Sequence, residues 1–169
     1  MITRLVRPAD AAELCALLRA NRDFLAPWDP IRAEDYFTEE GQRAVLEGFL
    51  AAHAKGTILP HVILDGDRIV GRITLSGITR GAFQSGNLGY WVNAQDNGRG
   101  LGTAAVAEIR RIAFYELGLH RIEAGTLLHN TASQTVLHRN GFVRFGTAPR
   151  YLRIAGVWQD HALFQTLNE

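Results

Sequence analysis

Cysteine, lysine and long apolar runs are what this 169-residue chain lacks. Its one cysteine, Cys15, excludes an intramolecular disulfide, and nothing points to an oxidising compartment. No apolar run approaches the ~20 residues that cross a bilayer. The start, MITRLVRPAD, has no apolar stretch of the secretory kind. The expected place of work is therefore the cytoplasm, with no membrane partner. A net charge of +1 is far from the basic excess of a general nucleic-acid binder. Lys55 is the only lysine beside 17 arginines. That bias fits phosphate or carboxylate recognition, and it equally fits codon usage in a GC-rich genome. The six histidines show no metal-ligand spacing, so no metal is expected.

With 47% apolar and 21% charged residues the composition is globular, and the length suits a single domain over residues 1–169. Residues 2–7 alternate as a strand. Asp10-Ala-Ala-Glu13 has capping-box spacing and opens a helix with Leu14, Leu17 and Leu18 on one face. Cys15 reads there as a small buried filler. Residues 24–37, with two prolines and several aromatics, read as an irregular loop before a helix from Thr38 to about Ala54. Strands follow at 58–64, 68–75 and 87–93, the first two joined by a hairpin turn at Asp65-Gly66-Asp67. A helix is expected over 102–117, a strand over 121–127 and a short helix over 131–140, with Gly141 at its C′ position. Two strands, 144–154 and 157–166, close the chain around Ala155-Gly156. The order β-α-α-β-β-β-α-β-α-β-β mixes hairpins with helical crossovers. It predicts an α+β (mixed α/β) fold, a mixed sheet with helices on both faces.

The most informative stretch is Val92-Asn-Ala-Gln-Asp-Asn-Gly98-Arg99-Gly100-Leu101-Gly102-Thr103, which follows a strand and opens a helix. Clustered glycines let the backbone turn tightly and bare consecutive N–H groups. With the positive helix end these form an anion cradle, and Arg99 can add a charge-assisted bond. The P-loop spacing GxxxxGK[ST] is absent, and the glycines run GxGxG rather than GxGxxG.

This stretch resembles the R/Q-x-x-G-x-G/A signature of the GNAT acetyltransferases, with Asn97 where Arg or Gln usually stands. Leu117–Ala124, His129-Asn-Thr-Ala-Ser133 and Asn140-Gly-Phe142 resemble the family's second half. Asn21–Pro30, Arg80-Gly81, Leu88-Gly-Tyr90 and Gly156–His161 resemble the RimJ and RimL type, the ribosomal-protein-alanine N-acetyltransferases. The resemblance implies a roughly seven-stranded GNAT sheet and acetyl-CoA as cofactor. It implies a diphosphate held by Gly98, Arg99, Gly100, Leu101, Gly102 and Thr103, and pantetheine paired to the backbone at Trp91 and Val92. It implies an acceptor that is a protein N-terminal amine, such as that of a small-subunit ribosomal protein. Acetylation of a small amine such as an antibiotic or polyamine, and a non-catalytic acyl-CoA sensor or assembly factor, stay open, as does a homodimer.

The leaving thiolate needs a proton donor. Leu137 stands where many family members carry a tyrosine, and Ser133 supplies the RimL-type hydroxyl in its place. Ser133 also reads as a first-turn helix residue and Asn130 as an N-cap, a role compatible with cofactor contact. The family's glutamate base falls at Leu152, so Asp29, Glu123 and Asp160 are weighed as substitutes. A site without its own base favours α-amines, roughly a tenth neutral at pH 7, over lysines, neutral at about one part in a few thousand. Trp28 and Asp29 are candidate acceptor-side residues, with Tyr90. Because Tyr90 and Trp91 point to opposite faces of their strand, at most one of them is expected to line a cleft. Trp158 is expected in the core or on the sheet surface, and His138 and Arg139 on a solvated helix face.

Overall fold

The computed structural model describes residues 1–169. One seven-stranded sheet carries the architecture: β1 (Thr3–Leu5), β2 (Leu59–Asp65), β3 (Arg68–Thr79), β4 (Ser85–Val92), β5 (Arg121–Leu127), β6 (Val143–Ile154) and β7 (Val157–Leu167), ordered β1-β2-β3-β4-β5-β7-β6. Every neighbouring pair is antiparallel except β4–β5. The helices are α1 (Ala11–Ala20), the single turn α2 (Arg22–Leu25), α3 (Glu39–Ala54), α4 (Leu101–Arg111) and α5 (Thr131–Arg139).

Strand alternation sorts the core into two layers. Val62, Ile69 and Trp91 pack with Leu14 of α1 and Leu46 of α3 on one face. Ile63, Ile73, Ile122, Phe164 and Tyr90 pack with Val106 and Ile109 of α4 and Leu137 of α5 on the other. This bears out the mixed sheet with helices on both sides.

Several local expectations change. Asp10 does not cap α1 with its side chain. Its carboxylate accepts from Arg7 N–H at 2.8 Å and from both Arg4 Nη atoms, because the chain first makes a 3-10 turn at Pro8–Asp10. Glu13, freed from the box, instead accepts from Ile69 N–H of β3 at 2.7 Å. The 24–37 stretch is not wholly irregular: α2 opens it and a 3-10 turn, Glu34–Phe37, closes it. The predicted 102–117 helix is α4 followed by a π turn, Ile112–Glu116, in which Leu117 N–H reaches back to Ile112 O. Cys15 is buried, with Sγ at 3.2 Å from Phe37 O. Trp158 lies on the sheet surface, 60% exposed.

A buried polar network anchors the chain between β4 and α4. Asn21, at the end of α1, donates to Leu17 O and Asn93 Oδ1 and accepts from Ala94 N–H, each at 2.8 Å. Asp96 is buried and accepts from Arg68 (2.7 and 2.9 Å), Asn93 Nδ2 (2.6 Å) and Arg99 (3.1 Å). The Arg68 guanidinium, then the Asn93 amide, hold its carboxyl far below the ordinary range. Charge and hydrogen bonds close on themselves here, so the turn that follows starts from a fixed point.

His61 of β2 is buried beneath β1, with Nδ1 at 3.0 Å from Thr3 Oγ1. Burial pushes its pKa down to about 4. The folded chain thus binds fewer protons at His61 than the unfolded chain, whose histidine titrates near 6.5. Stability from this group is complete above about pH 6.5 and is lost as pH falls toward 4, by about 3 kcal/mol. Denaturant titrations from pH 7.5 to 4 should show that slope in the wild type and its absence in His61→Gln.

Candidate active site

The parallel pair β4–β5 is short. Ser85, Gly86 and Asn87 register with Arg121, Ile122 and Glu123, and pairing ends there. Beyond it β4 stays paired only to β3, through Val92 against Gly71, and β5 only to β7. The two strands diverge toward their C-terminal ends, so the β5-facing backbone of Tyr90, Trp91 and Val92 has no strand partner.

At the end of β4 the chain enters the glycine turn. Gly98 and Gly100 both have φ of +79°, a conformation that side-chain-bearing residues enter at a cost. No backbone N–H from Gly98 to Thr103 has an acceptor within the protein. The first helical bond of α4 runs from Ala104 N–H to Gly100 O at 3.0 Å. These bare donors and the positive end of α4 face a groove of about 590 Å³. Gly98, Gly100, Leu101, Gly102 and Thr103 border it, as do Trp91, Val92, Asn130 and Ser133.

Arg99 departs from its expected place. Its guanidinium bonds Asp65 (2.6 Å) and Asp96 (3.1 Å) and does not border the groove. Two carboxylates beneath the turn outcompete open solvent for that charge. The cation that does border the groove is Arg139 at the end of α5, which the sequence suggests is merely solvated. The turn of α5 onto β6 is closed by Gly141 at φ +76°, in the C′ position expected of it.

Across the floor, Asn130 Oδ1 accepts from Ser133 N–H at 3.1 Å, capping α5. Ser133 Oγ lies 2.8 Å from Tyr90 Oη, where either hydroxyl can donate. Burial pushes the Tyr90 phenol up to about 12, against the opposing Ser133 bond, so it remains protonated at neutral pH. A serine on α5 and a phenol on β4 thus form one hydroxyl pair. Their contact was invisible in sequence, where they stand 43 residues apart.

The groove shares Trp28, Tyr90, Trp91, Asn130 and Ser133 with a second cleft, of about 480 Å³, that runs through the gap between β4 and β5 and opens toward the α1–α3 side. Both Tyr90 and Trp91 border it. The expectation that only one of them could line a cleft fails because this cleft crosses the sheet rather than lying on one face. Trp28, 37% exposed, stacks at 5.2 Å on His129 and borders both spaces. Asp29 borders the second cleft, but Arg32 holds it at 3.0 and 3.2 Å. Leu152 borders it too. Glu123 pairs with Arg121, and Asp160 accepts from Arg150 N–H; neither borders the cleft. Of the three carboxylates weighed as proton acceptors, only Asp29 is in place, and it is neutralised.

Two further residues border this cleft that the sequence did not single out as site candidates. Arg72 of β3 has Nη2 at 3.2 Å from Tyr36 Oη and its guanidinium 5.2 Å over the Phe49 ring. Its Nη1 is buried with no partner, and no carboxylate pairs with it. His161 of β7 is the other. Arg72 is one of 17 arginines, and His161 stands out in the sequence only as the last residue of the Gly156–His161 stretch.

Residues 1–143 match the acetyltransferase (GNAT) domain. YjcK of Bacillus subtilis (strain 168), a probable N-acetyltransferase, is 40% identical over 168 residues, covering 96% of this chain and 93% of its own. The ribosomal protein uS5-alanine N-acetyltransferase of Escherichia coli (strain K12) is 34% identical over 165 residues, covering 96% and 85%. The structure of Mycobacterium smegmatis RimJ in complex with CoA-disulfide superposes with a TM-score of 0.94 at 35% identity, covering 98% of this chain and 80% of that one. Bare amides at a strand–helix turn, two diverging parallel strands and relatives that match nearly end to end lead to one assignment: the chain belongs to the GNAT family of acetyltransferases.

Proposed function

We propose that this enzyme acetylates the α-amino group of protein N-termini, a ribosomal protein among them, with acetyl-CoA as donor. The relatives that act on ribosomal protein uS5 support the acceptor class. What carries it within the chain is the charge of the acceptor cleft. A polyamine or cationic antibiotic calls for clustered carboxylates. Of the acidic residues in the 29–40 segment, Asp29 is bound by Arg32, Glu34 by Arg22 and Glu39 by Arg43, and only Asp29 borders the cleft. Arg72, unpaired, adds a cation there. A guanidinium with free N–H groups suits the carbonyl oxygens of a peptide and repels a polycation.

The residues present fit acetyl-CoA. The amides of residues 98–103 and Arg139 would take its diphosphate. The open backbone edge at Trp91 and Val92 would pair with pantetheine, which puts the thioester at the strand gap. The cofactor supplies an acetyl thioester whose sulfur leaves as a thiolate. Ser133 is placed to give that sulfur a proton, and Tyr90, held protonated, backs it. Asn130 fixes the Ser133 backbone, so the hydroxyl is presented by a capped helix rather than a mobile loop.

Gly100→Val should lower acetyl-CoA affinity at least tenfold by calorimetry. No atom lies within 4 Å of a Cβ there, so the loss comes through the backbone, which gives up its left-handed φ or keeps it at ~1–3 kcal/mol. Ser133→Ala should lower kcat about 100-fold while acetyl-CoA affinity stays within about twofold; full activity would remove Ser133 from the mechanism. The acceptor is tested with peptides beginning Ala, Ser or Met, the same peptides N-terminally blocked with one internal lysine, and spermidine, by free-thiol release at pH 7. The free N-termini should give the highest kcat/KM. A higher value for lysine or spermidine overturns the reading.

A further inference from the structure

A substrate ammonium must lose a proton before its nitrogen can attack a thioester, and the carboxylates weighed for that step are absent or neutralised. We infer that His161 takes this proton. Ala162 and Phe164, its neighbours on β7, face the core beneath α4 and α5. Alternation therefore turns His161 to the opposite, acceptor-side face, where it borders the second cleft. Its Nδ1 lies 2.9 Å from Gln159 O. A carbonyl only accepts, so Nδ1 carries the hydrogen and Nε2 is left with its lone pair. No second hydrogen bond engages the ring. His161 is 3% exposed, so its ring is reached only through the cleft it borders; the β5 position facing it is Gly125, where a Cβ would stand 3.7 Å from His161 Cδ2. The Tyr151 ring packs at 5.6 Å and holds the imidazole in place.

The surroundings leave Nε2 free to act. Opposite His161 in register stand Leu127 of β5 and Ala148 of β6, both uncharged. The ionisable groups that share its cleft are the Asp29–Arg32 pair, Arg72, Tyr36 and Tyr90. Asp160, the preceding residue, faces away and accepts from Arg150 N–H at 2.8 Å. None of these is a second free proton acceptor.

The step balances as follows. The ammonium gives one proton to Nε2, and the neutral nitrogen attacks the thioester carbonyl. The C–N bond forms and the C–S bond breaks. The thiolate takes a proton from the Ser133–Tyr90 pair, the second nitrogen proton passes through solvent to restore that pair, and His161 returns its proton to solvent after products leave. An ammonium and a thioester become an amide, a thiol and one released proton. The inference rests on the reading that an amine enters this cleft, and does not depend on which amine.

The test uses the full chain with His161→Gln and His161→Asn. The asparagine amide can still donate to Gln159 O but offers no lone pair where Nε2 stood. Each is assayed on the amine of the peptide, lysine and spermidine panel that the wild type acetylates fastest. kcat is followed from pH 5.5 to 9.5, with acetyl-CoA affinity by calorimetry. Wild-type kcat should show an acid limb that falls about tenfold per pH unit, as a single required base predicts. Both variants should lose about 100- to 1,000-fold in kcat at pH 7, keep acetyl-CoA affinity within threefold, and lose that acid limb, with added imidazole restoring part of the rate. Variants within threefold of wild type, an unchanged acid limb, or a matching loss of cofactor affinity would overturn the assignment. If lysine or spermidine is the preferred amine, the N-terminal reading fails while the His161 question is decided on that amine. If no amine is acetylated, the assignment fails too.

Discussion

Two parallel strands that pair for three residues and then part create the space in which everything else operates. Parallel neighbours ordinarily keep their ladder bonds, because unpaired backbone groups away from water are costly. Here β4 gives up its β5 partner while β3 still holds its other edge, so the strand remains straight and its free edge is available to a ligand. The same parting opens a passage through the sheet, which is how one ligand can be bound on the α4–α5 face and another approach from the α1–α3 face. A sheet closed at this point would leave the glycine turn as an anion site with no acceptor side.

The turn itself depends on a chain of buried polar contacts. Asn21, Asn93 and Asp96 join the end of α1 to the start of the loop, and Arg68 and Arg99 close the charge. Once Arg99 is committed downward, the upper side of the turn presents backbone amides alone. Amides cannot rotate away or titrate, so the cradle is set before any ligand arrives. Arg139 of α5 borders the same groove and adds a positive charge to it.

The polar and aromatic groups that border the second cleft come from across the sheet. Trp28 comes from the segment after α2, Arg72 from β3, Tyr90 from β4 and His161 from β7, with Ser133 reaching the same space from α5. Each lies on a different element, so no short motif holds them, and each is oriented by a local contact: Trp28 by His129, Arg72 by Phe49 and Tyr36, Tyr90 by Ser133, and His161 by the carbonyl of Gln159.

The amino-acid sequence by itself determined the strand and helix order, the mixed sheet, the glycine turn and the capped serine of α5, because each is written in residues close together: periodicity, hairpin turns, clustered glycines, an asparagine three residues before a serine. It was misleading at Asp10, where a capping spacing lost to ion pairing with Arg4, and at Arg99, where a nearby glycine cradle lost to Asp65 and Asp96. Only the tertiary structure decided that Tyr90 meets Ser133, that Arg72 has no counter-charge, and that His161 faces the cleft. Those facts turn on which groups from distant strands come within a few ångströms, and burial then raises the energy of each pairing made or missed.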